Sequence, residues 1–181
     1  MFDLGPAAEE MNRLVSGVRD DQLNDPTPCP DWSVADLLAH IHQFTTVFAC
    51  NGRKQTRRPP AGLVDEWREA IPDQLDQLTD AWREESAWDG RVSAGGVEMA
   101  AADNALVAVE ELTVHGWDLG RATGQDLRVD DVRLDLVVRF FEVFGGQPFG
   151  PPATVPSGAT RLDQTIARTG RDPSWQAARR Q

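Results

Sequence analysis

The sequence predicts an all-α fold, a bundle of four main helices with additional short helices near the C-terminus. Apolar residues recur at steps of three and four along most of the chain, which is the period of helices with one buried face. No alternation of apolar and polar residues, the pattern of a half-buried strand, continues beyond about four residues. The chain has 181 residues, a length typical of a single domain.

The first helix is predicted over residues 4–18. The segment 25–32 that follows cannot be helical, because its three prolines lack the amide hydrogen that a helix needs. Ser33 has the side chain of a good N-cap, and Asp36 stands at the capping-box position, where Glu or Gln is more usual. The second helix is therefore predicted to run from Ser33 to about Cys50.

Residues 51–60 predict a basic loop that ends in prolines, and a third helical pattern covers 63–82. Because Pro72 interrupts this pattern, we expect either a kinked helix or two abutting helices. The glycines of 87–99 predict a loop.

The fourth helix is predicted over about 100–123, where Gly124 provides a natural C′ residue. A fifth, strongly apolar helix follows over 132–144, capped by Asp130 or Asp131. Its apolar surface is expected to cover either the bundle core or the interface of a homodimer.

The C-terminal part, residues 145–181, is expected to be an irregular extension packed on the bundle. Prolines and glycines crowd 145–158, where they prevent a continuous helix. A short helix is predicted around 159–168. With this extension, residues 1–181 are predicted to form one domain.

The composition excludes several classes of partner. Asp and Glu number 29 against 18 Lys and Arg, so the formal net charge is −11. This charge argues against nucleic acid and against an anionic membrane surface. No apolar run approaches the roughly 18 residues of a spanning helix, and the N-terminal segment lacks the regions of a signal peptide. We therefore expect a cytoplasmic protein in which Cys29 and Cys50 are reduced thiols.

Three histidines and two neighbouring acids are the candidates for chemistry. Glu111 and His115 lie one helical turn apart on one face of the fourth helix, so they form either a plain ion pair or two ligands of a metal. A histidine from the second helix would complete a His₂Glu set, which leaves a coordination position open. His40 and His42 lie about 100° to either side of the apolar stripe, so the helical wheel does not choose between them. Glu110 points about 100° away from Glu111 and is expected to be solvated or at a packing edge.

Two segments carry a family resemblance. Residues 27–41, TPCPDWSVADLLAHI, resemble the opening motif of the DinB-like, mycothiol-dependent maleylpyruvate isomerase family. Residues 111–124, ELTVHGWDLGRATG, resemble its second motif. Residues 161–163 and 170–175 are similar to a subgroup of short metal-binding proteins.

The resemblance implies a DinB-like up-down-down-up four-helix bundle that binds one divalent metal through His40, Glu111 and His115. His42 falls outside the motif and is interpreted as a polar-face residue or a neighbour of the site. A set of two nitrogens and one oxygen suits Zn²⁺ best, with Ni²⁺ or Fe²⁺ as alternatives. The family's isomerase has a second, C-terminal domain that contributes to thiol binding. About 40 residues follow the fifth helix here, too few for that domain, so isomerase activity itself does not carry over.

Five further residues of these motifs have predicted roles. Trp32 and Trp117 are interpreted as core or cleft-wall aromatics. Asp118 is a candidate partner for a metal-binding histidine. Arg171 is a candidate for binding the cofactor or a substrate carboxylate, with a structural salt bridge as the alternative. No cation lies near Cys29 in the sequence, so we do not expect it to be a nucleophile.

The function expected from these observations is that of a metal-dependent thiol transferase or isomerase. Its metal would activate water or a low-molecular-weight thiol, such as mycothiol, towards a small-molecule substrate. The alternative is a non-enzymatic four-helix-bundle protein for binding or interaction, with a structural or vestigial metal site.

Overall fold

The computed structural model describes residues 1–146 and 149–177. The described helices and strands are α1 Gly5–Ser16, α2 Val34–Gly52, α3 Trp67–Arg83, β1 Arg91–Ala94, β2 Val97–Ala100, α4 Ala101–Thr123, α5 Asp131–Phe144 and α6 Arg161–Ala167, with short 3₁₀ helices at Asp20–Gln22 and Glu85–Trp88. The fold is therefore all-α, as predicted, with one small β-hairpin. None of the helices in these described ranges has both the length and the apolar character needed to cross a membrane.

The four long helices α1 to α4 form the bundle, in which α1 and α2 each pack against both α3 and α4. The C-terminal ends of α2 and α3 lie together, because the indole of Trp82 donates to the carbonyl of Phe48 (3.0 Å). Asn51, near the end of α2, donates to Asn104, near the start of α4 (3.1 Å), so these two helices are antiparallel. Gln125, just after α4, donates to a backbone carbonyl in the last turn of α1. These contacts define the up-down-down-up order that the family resemblance implies.

Local signals set the ends of several helices as predicted. The Ser33 hydroxyl accepts from the Asp36 amide (3.2 Å), and the Asp36 carboxylate accepts from the Ser33 amide (2.9 Å), which completes the capping box of α2. Asp130 caps α5 by accepting from the amide of Arg133 (2.8 Å). Gly124 follows α4 in the left-handed region, at φ 74°, where glycine carries no steric penalty.

The middle of the chain differs from two of the expectations. The third helix begins at Trp67 and is a single helix that contains Pro72, so of the two alternatives predicted the pair of abutting helices is excluded. The segment 87–99 is not only a loop, because most of it forms the antiparallel hairpin β1–β2. Each strand has only 4 residues, too few to show an alternation, and the connecting Gly95-Gly96 pair has positive φ at both positions, as tight hairpin turns require.

The apolar face of α5 is buried within the same chain. Val137, Phe140 and Phe141 pack with Leu106 of α4 in a small second core, so this face covers the bundle, as one of the two alternatives predicted. The homodimer stays a prediction. Further along, Ile166 of α6 is fully buried against α4, and this contact brings the C-terminal segment to the side of α4 that carries the candidate site.

Close packing at Gly120 provides a test of the fold. A Cβ at Gly120 would lie 2.7 Å from the carbonyl oxygen of Gln125, whereas a Cβ at Gly116 would meet the ends of flexible side chains, of which Leu127 is the nearest at 3.2 Å. Both Gly→Ala changes gain the same helix propensity. We expect Gly120→Ala to lower the free energy of unfolding by roughly 1–3 kcal/mol relative to Gly116→Ala. Urea unfolding measures the difference, and equal stabilities would contradict the close approach.

Candidate functional site

Three side chains from two helices converge at one point of the bundle. His40 comes from α2, and Glu111 and His115 come from successive turns of α4. One oxygen of Glu111, Oε2, lies 3.1 Å from Nε2 of His115 and 3.5 Å from Nε2 of His40. The structure thus brings together the three residues that the family resemblance names, and of the two histidines of α2 it places His40 beside Glu111.

The geometry of these three side chains fits a divalent metal. Their potential ligand atoms all lie within 4.8 Å of one another. In a tetrahedral zinc site, bonds of about 2.1 Å place neighbouring ligand atoms about 3.4 Å apart, which is close to the two distances observed. The side chains of His40, Glu111 and His115 are 30%, 25% and 12% exposed, so the site has a side that faces solvent, as an open coordination position requires.

A second contact fixes the far side of the His115 ring. Nδ1 of His115 lies 2.9 Å from Oδ2 of Asp118, whose side chain is fully buried. Arg171, from the C-terminal segment, binds the same carboxylate with two nitrogens, at 2.6 Å and 2.7 Å. Burial raises the pKa of Asp118, but His115 and Arg171 outweigh this effect and hold it below its ordinary value. A carboxylate bound to the second nitrogen is the usual support of a metal-binding histidine.

The charges of the cluster are mutually dependent. Burial raises the pKa of Glu111, but hydrogen bonds with His115 and His40 outweigh this effect and lower the pKa to about 2. Burial also disfavours a charged His115, yet Asp118, Cys29 and Glu111 raise its pKa well above the ordinary value. Glu111 and His115 therefore each favour the charged form of the other. A metal bound there would supply positive charge beside Glu111 and would compete with a proton on His115.

Glu110 differs from its sequence-based interpretation. It is buried, with 4% of its surface exposed, and it lines the cavity beside the cluster. Burial raises the pKa of this carboxyl well above its ordinary value, and the negative charge of Glu111 adds to the effect. The wheel angle that separates Glu110 from Glu111 is compatible with burial here, because α4 is covered on more than one side. Sequence reasoning thus missed a buried carboxyl at the site, and its burial favours the protonated form.

Cys29 also has surroundings that its sequence neighbours do not indicate. Its Sγ donates to Asp118 at 3.2 Å and accepts from the Arg171 guanidinium at 3.4 Å. No basic residue lies near Cys29 in the sequence, but Arg171, 142 positions away, places a cation beside its sulfur. Cys29, His115 and Asp118 form a second group with metal-compatible spacing. Asp118 is already engaged by Arg171, so the group containing Glu111 is better suited to a cation.

The remaining predicted residues have separate positions. Trp32 lies beside the cluster, with its ring centroid 4.9 Å from that of His40, and it lines the cavity. Trp117 is buried against Ile166, so it is a core residue. His42 belongs to neither metal-compatible group. Its Nδ1 has no hydrogen-bond partner in the described part of the chain, and burial, followed by the charge of Arg57, lowers its pKa.

Comparison with known proteins places this site in context. The profile of the family described as mycothiol maleylpyruvate isomerase N-terminal domain matches residues 4–120. An uncharacterized protein of Mycobacterium tuberculosis is 25% identical over 183 aligned positions, which cover 91% of this chain and 93% of that protein. Another uncharacterized protein of the same organism is 30% identical over 153 positions, 67% of this chain and 55% of its own length.

One solved structure shares the fold. It is the crystal structure of a histidine-to-alanine mutant of the mycothiol-dependent maleylpyruvate isomerase, with a TM-score of 0.56 and 17% identity. The match covers 73% of this chain and 63% of that structure's chain. At this identity the likeness supports the helical architecture only.

Breaking the ion pair between Arg171 and Asp118 should strongly destabilise the fold. Arg171→Ala would leave a fully buried carboxylate with only His115 as its counter-charge, so we expect a loss of about 3 kcal/mol in the free energy of unfolding. Arg161 is the matched control, because it also lies in the C-terminal segment but pairs with Asp131 at the surface. Arg161→Ala should cost much less, because an ion pair exposed to solvent contributes little to stability. Equal losses for the two variants in urea unfolding would contradict this assignment.

Proposed function

Because the chain belongs to the mycothiol maleylpyruvate isomerase N-terminal domain family, we propose that it is a metal-dependent enzyme of the thiol-transferase or isomerase type. Its substrates in this proposal are a low-molecular-weight thiol, such as mycothiol, and a second small molecule. The observation that carries the proposal is the convergence of His40, Glu111 and His115 at the end of a cavity of about 750 Å³, a volume suited to small-molecule ligands.

We propose that these three side chains hold the metal, with Zn²⁺ preferred on the chemistry of the donor set and Ni²⁺ or Fe²⁺ as alternatives. When bound, such a cation supplies Lewis-acid chemistry and favours the deprotonated form of a thiol or water at its open position. The chain's own residues do the rest. Asp118 holds the His115 ring in place through Nδ1, and Glu110 presents a protonated carboxyl that can donate a hydrogen bond or a proton within the cavity.

Arg171 has two roles in this proposal. It keeps Asp118 ionised through two hydrogen bonds, and it lines the cavity as the basic group that a bound thiol cofactor meets there. Since Arg171 and Ile166 bring the described residues of the C-terminal segment against α4, we propose that residues 1–181 work as one domain.

Metal content tests the proposal directly. The purified wild-type chain should contain about one divalent cation per molecule by elemental analysis, and His40→Ala, Glu111→Ala and His115→Ala should each lose it, because each removes one of three ligands. His42→Ala is the matched control and should keep it. His40→Ala should melt close to the wild type, since an open site contributes little to folding, whereas His115→Ala also removes a partner of the buried Asp118 carboxylate.

Other outcomes would favour the alternative. A wild type without metal after growth in metal-supplemented medium would support a non-enzymatic binding protein. Unfolding on removal of the metal would indicate a structural site. Loss of metal in His42→Ala but not in His40→Ala would contradict the assignment of the ligands.

The pKa of His115 predicts how metal affinity depends on pH. Because this pKa is raised in the metal-free protein, the ring must lose its Nε2 proton before that nitrogen can bind a cation. We expect affinity to rise with pH and at least about one proton to be released per cation near pH 6. Titration calorimetry in buffers of different ionisation enthalpy counts the protons. Metal binding without proton release would contradict the role of His115.

A further inference from the structure

The cavity beside the cluster extends well beyond the three converging side chains. His40, Phe44 and Phe48 follow one another at four-residue steps on the same face of α2, and all three line the cavity. The ring centroids of His40 and Phe44 are 5.4 Å apart, and those of Phe44 and Phe48 are 6.0 Å apart. At 1.5 Å per residue, this row extends about 12 Å from the cluster towards the end of α2.

The other walls of this extension are apolar too. Val107 lies one turn before Glu111 on α4 and lines the cavity opposite α2. Phe140 and Phe144 of α5 form another wall, with their ring centroids 5.0 Å apart. Val97 and Met99 of the hairpin line its far end. We call this part of the cavity, away from the cluster, the apolar chamber.

The charges of the cavity disfavour an anion in this chamber. Among the described residues that line the cavity, Arg171 is the one Lys or Arg, and it lies at the cluster end, bound to Asp118. The acidic lining residues Glu110 and Glu111 lie near the same end. A carboxylate in the apolar chamber would therefore lose its hydration without gaining an ion pair, which costs free energy.

We propose that the apolar chamber binds an uncharged substrate group, an aromatic ring or a branched alkyl chain, whose reactive end points towards His40, Glu111 and His115. This inference rests on the proposed function, because it names the substrate class for the same site. Three features favour such a group over a small dicarboxylate: the length of the chamber, its aromatic walls and the lack of an unpaired Lys or Arg among its described lining residues. The thiol then occupies the polar end, near Arg171.

Binding of a fluorescent probe tests this assignment without metal or turnover. N-phenylnaphthylamine is uncharged and apolar, and anilinonaphthalene sulfonate has the same aromatic framework with an added anion. We expect the metal-free full chain to bind the uncharged probe saturably and the sulfonate roughly tenfold more weakly, because no cation pairs with it. Equal or tighter binding of the sulfonate, or no saturable binding of the uncharged probe, would overturn the proposal.

Variants locate the bound probe within the chain. Val107→Asp and Val47→Asp each place a charge on the wall of the cavity and should weaken binding roughly tenfold. Val143→Asp makes the same change on a residue of α5 that is 47% exposed, and it should stay within about twofold of the wild type. Circular dichroism confirms folding, and the two wall positions lie on different helices, so misfolding of one variant leaves the other. Equal effects at all three positions would place the probe elsewhere.

Metal content and probe binding of the wild type together separate this proposal from the function on which it rests. If the wild type contains no metal but binds the probe as expected, the metal proposal fails and the chamber assignment stands. If metal is present but the probe does not bind, the chamber assignment fails and the metal proposal stands.

Discussion

The buried carboxylate of Asp118 is the contact on which the rest of the site depends. It binds His115 on one side and Arg171 on the other, and so joins the C-terminal segment to α4. A fully buried carboxylate is costly unless its charge is balanced and its oxygens are hydrogen-bonded. Both conditions are met here, by His115 three positions before Asp118 and by Arg171 53 positions after it. The orientation of the His115 ring therefore depends on how the C-terminal segment packs.

The site forms a chain of alternating charge, from the Arg171 cation through Asp118 and His115 to the Glu111 carboxylate. Such a chain contributes less to stability than its contacts suggest, since each group has given up hydration. Its value lies in geometry: each charge holds the next in one orientation. His115 lies between the carboxylates of Asp118 and Glu111. A bound metal would replace a proton on this imidazole.

The cavity combines residues from two parts of the sequence. The family profile covers residues 4–120, which include His40, Glu111, His115 and Asp118. Arg171, Phe140 and Phe144 line the same cavity but lie beyond that range, in the C-terminal segment and α5. Residues outside the family profile thus contribute one apolar wall and the basic group of a cavity whose other walls lie within the profile.

Much of the architecture was predictable from local sequence. Apolar periodicity indicated the helices, while Ser33, Asp36, Asp130 and Gly124 indicated ends of them through capping and backbone geometry that need no distant partner. The four-residue step from Glu111 to His115 likewise placed two candidate ligands on one face, because residues four apart share a face of any helix. Four-residue strands, however, are too short to show a period, so the hairpin was missed.

The tertiary structure alone decided the rest. Whether His40 or His42 lies beside Glu111 depends on how α2 is rotated against α4. A helical wheel of α2 alone does not contain that rotation. The burial of Glu110 and the cation beside Cys29 depend on segments packed from elsewhere in the chain. Local sequence therefore fixed which side chains share a helical face, and long-range packing fixed what each face meets, because hydration, charge and pKa depend on neighbours in space.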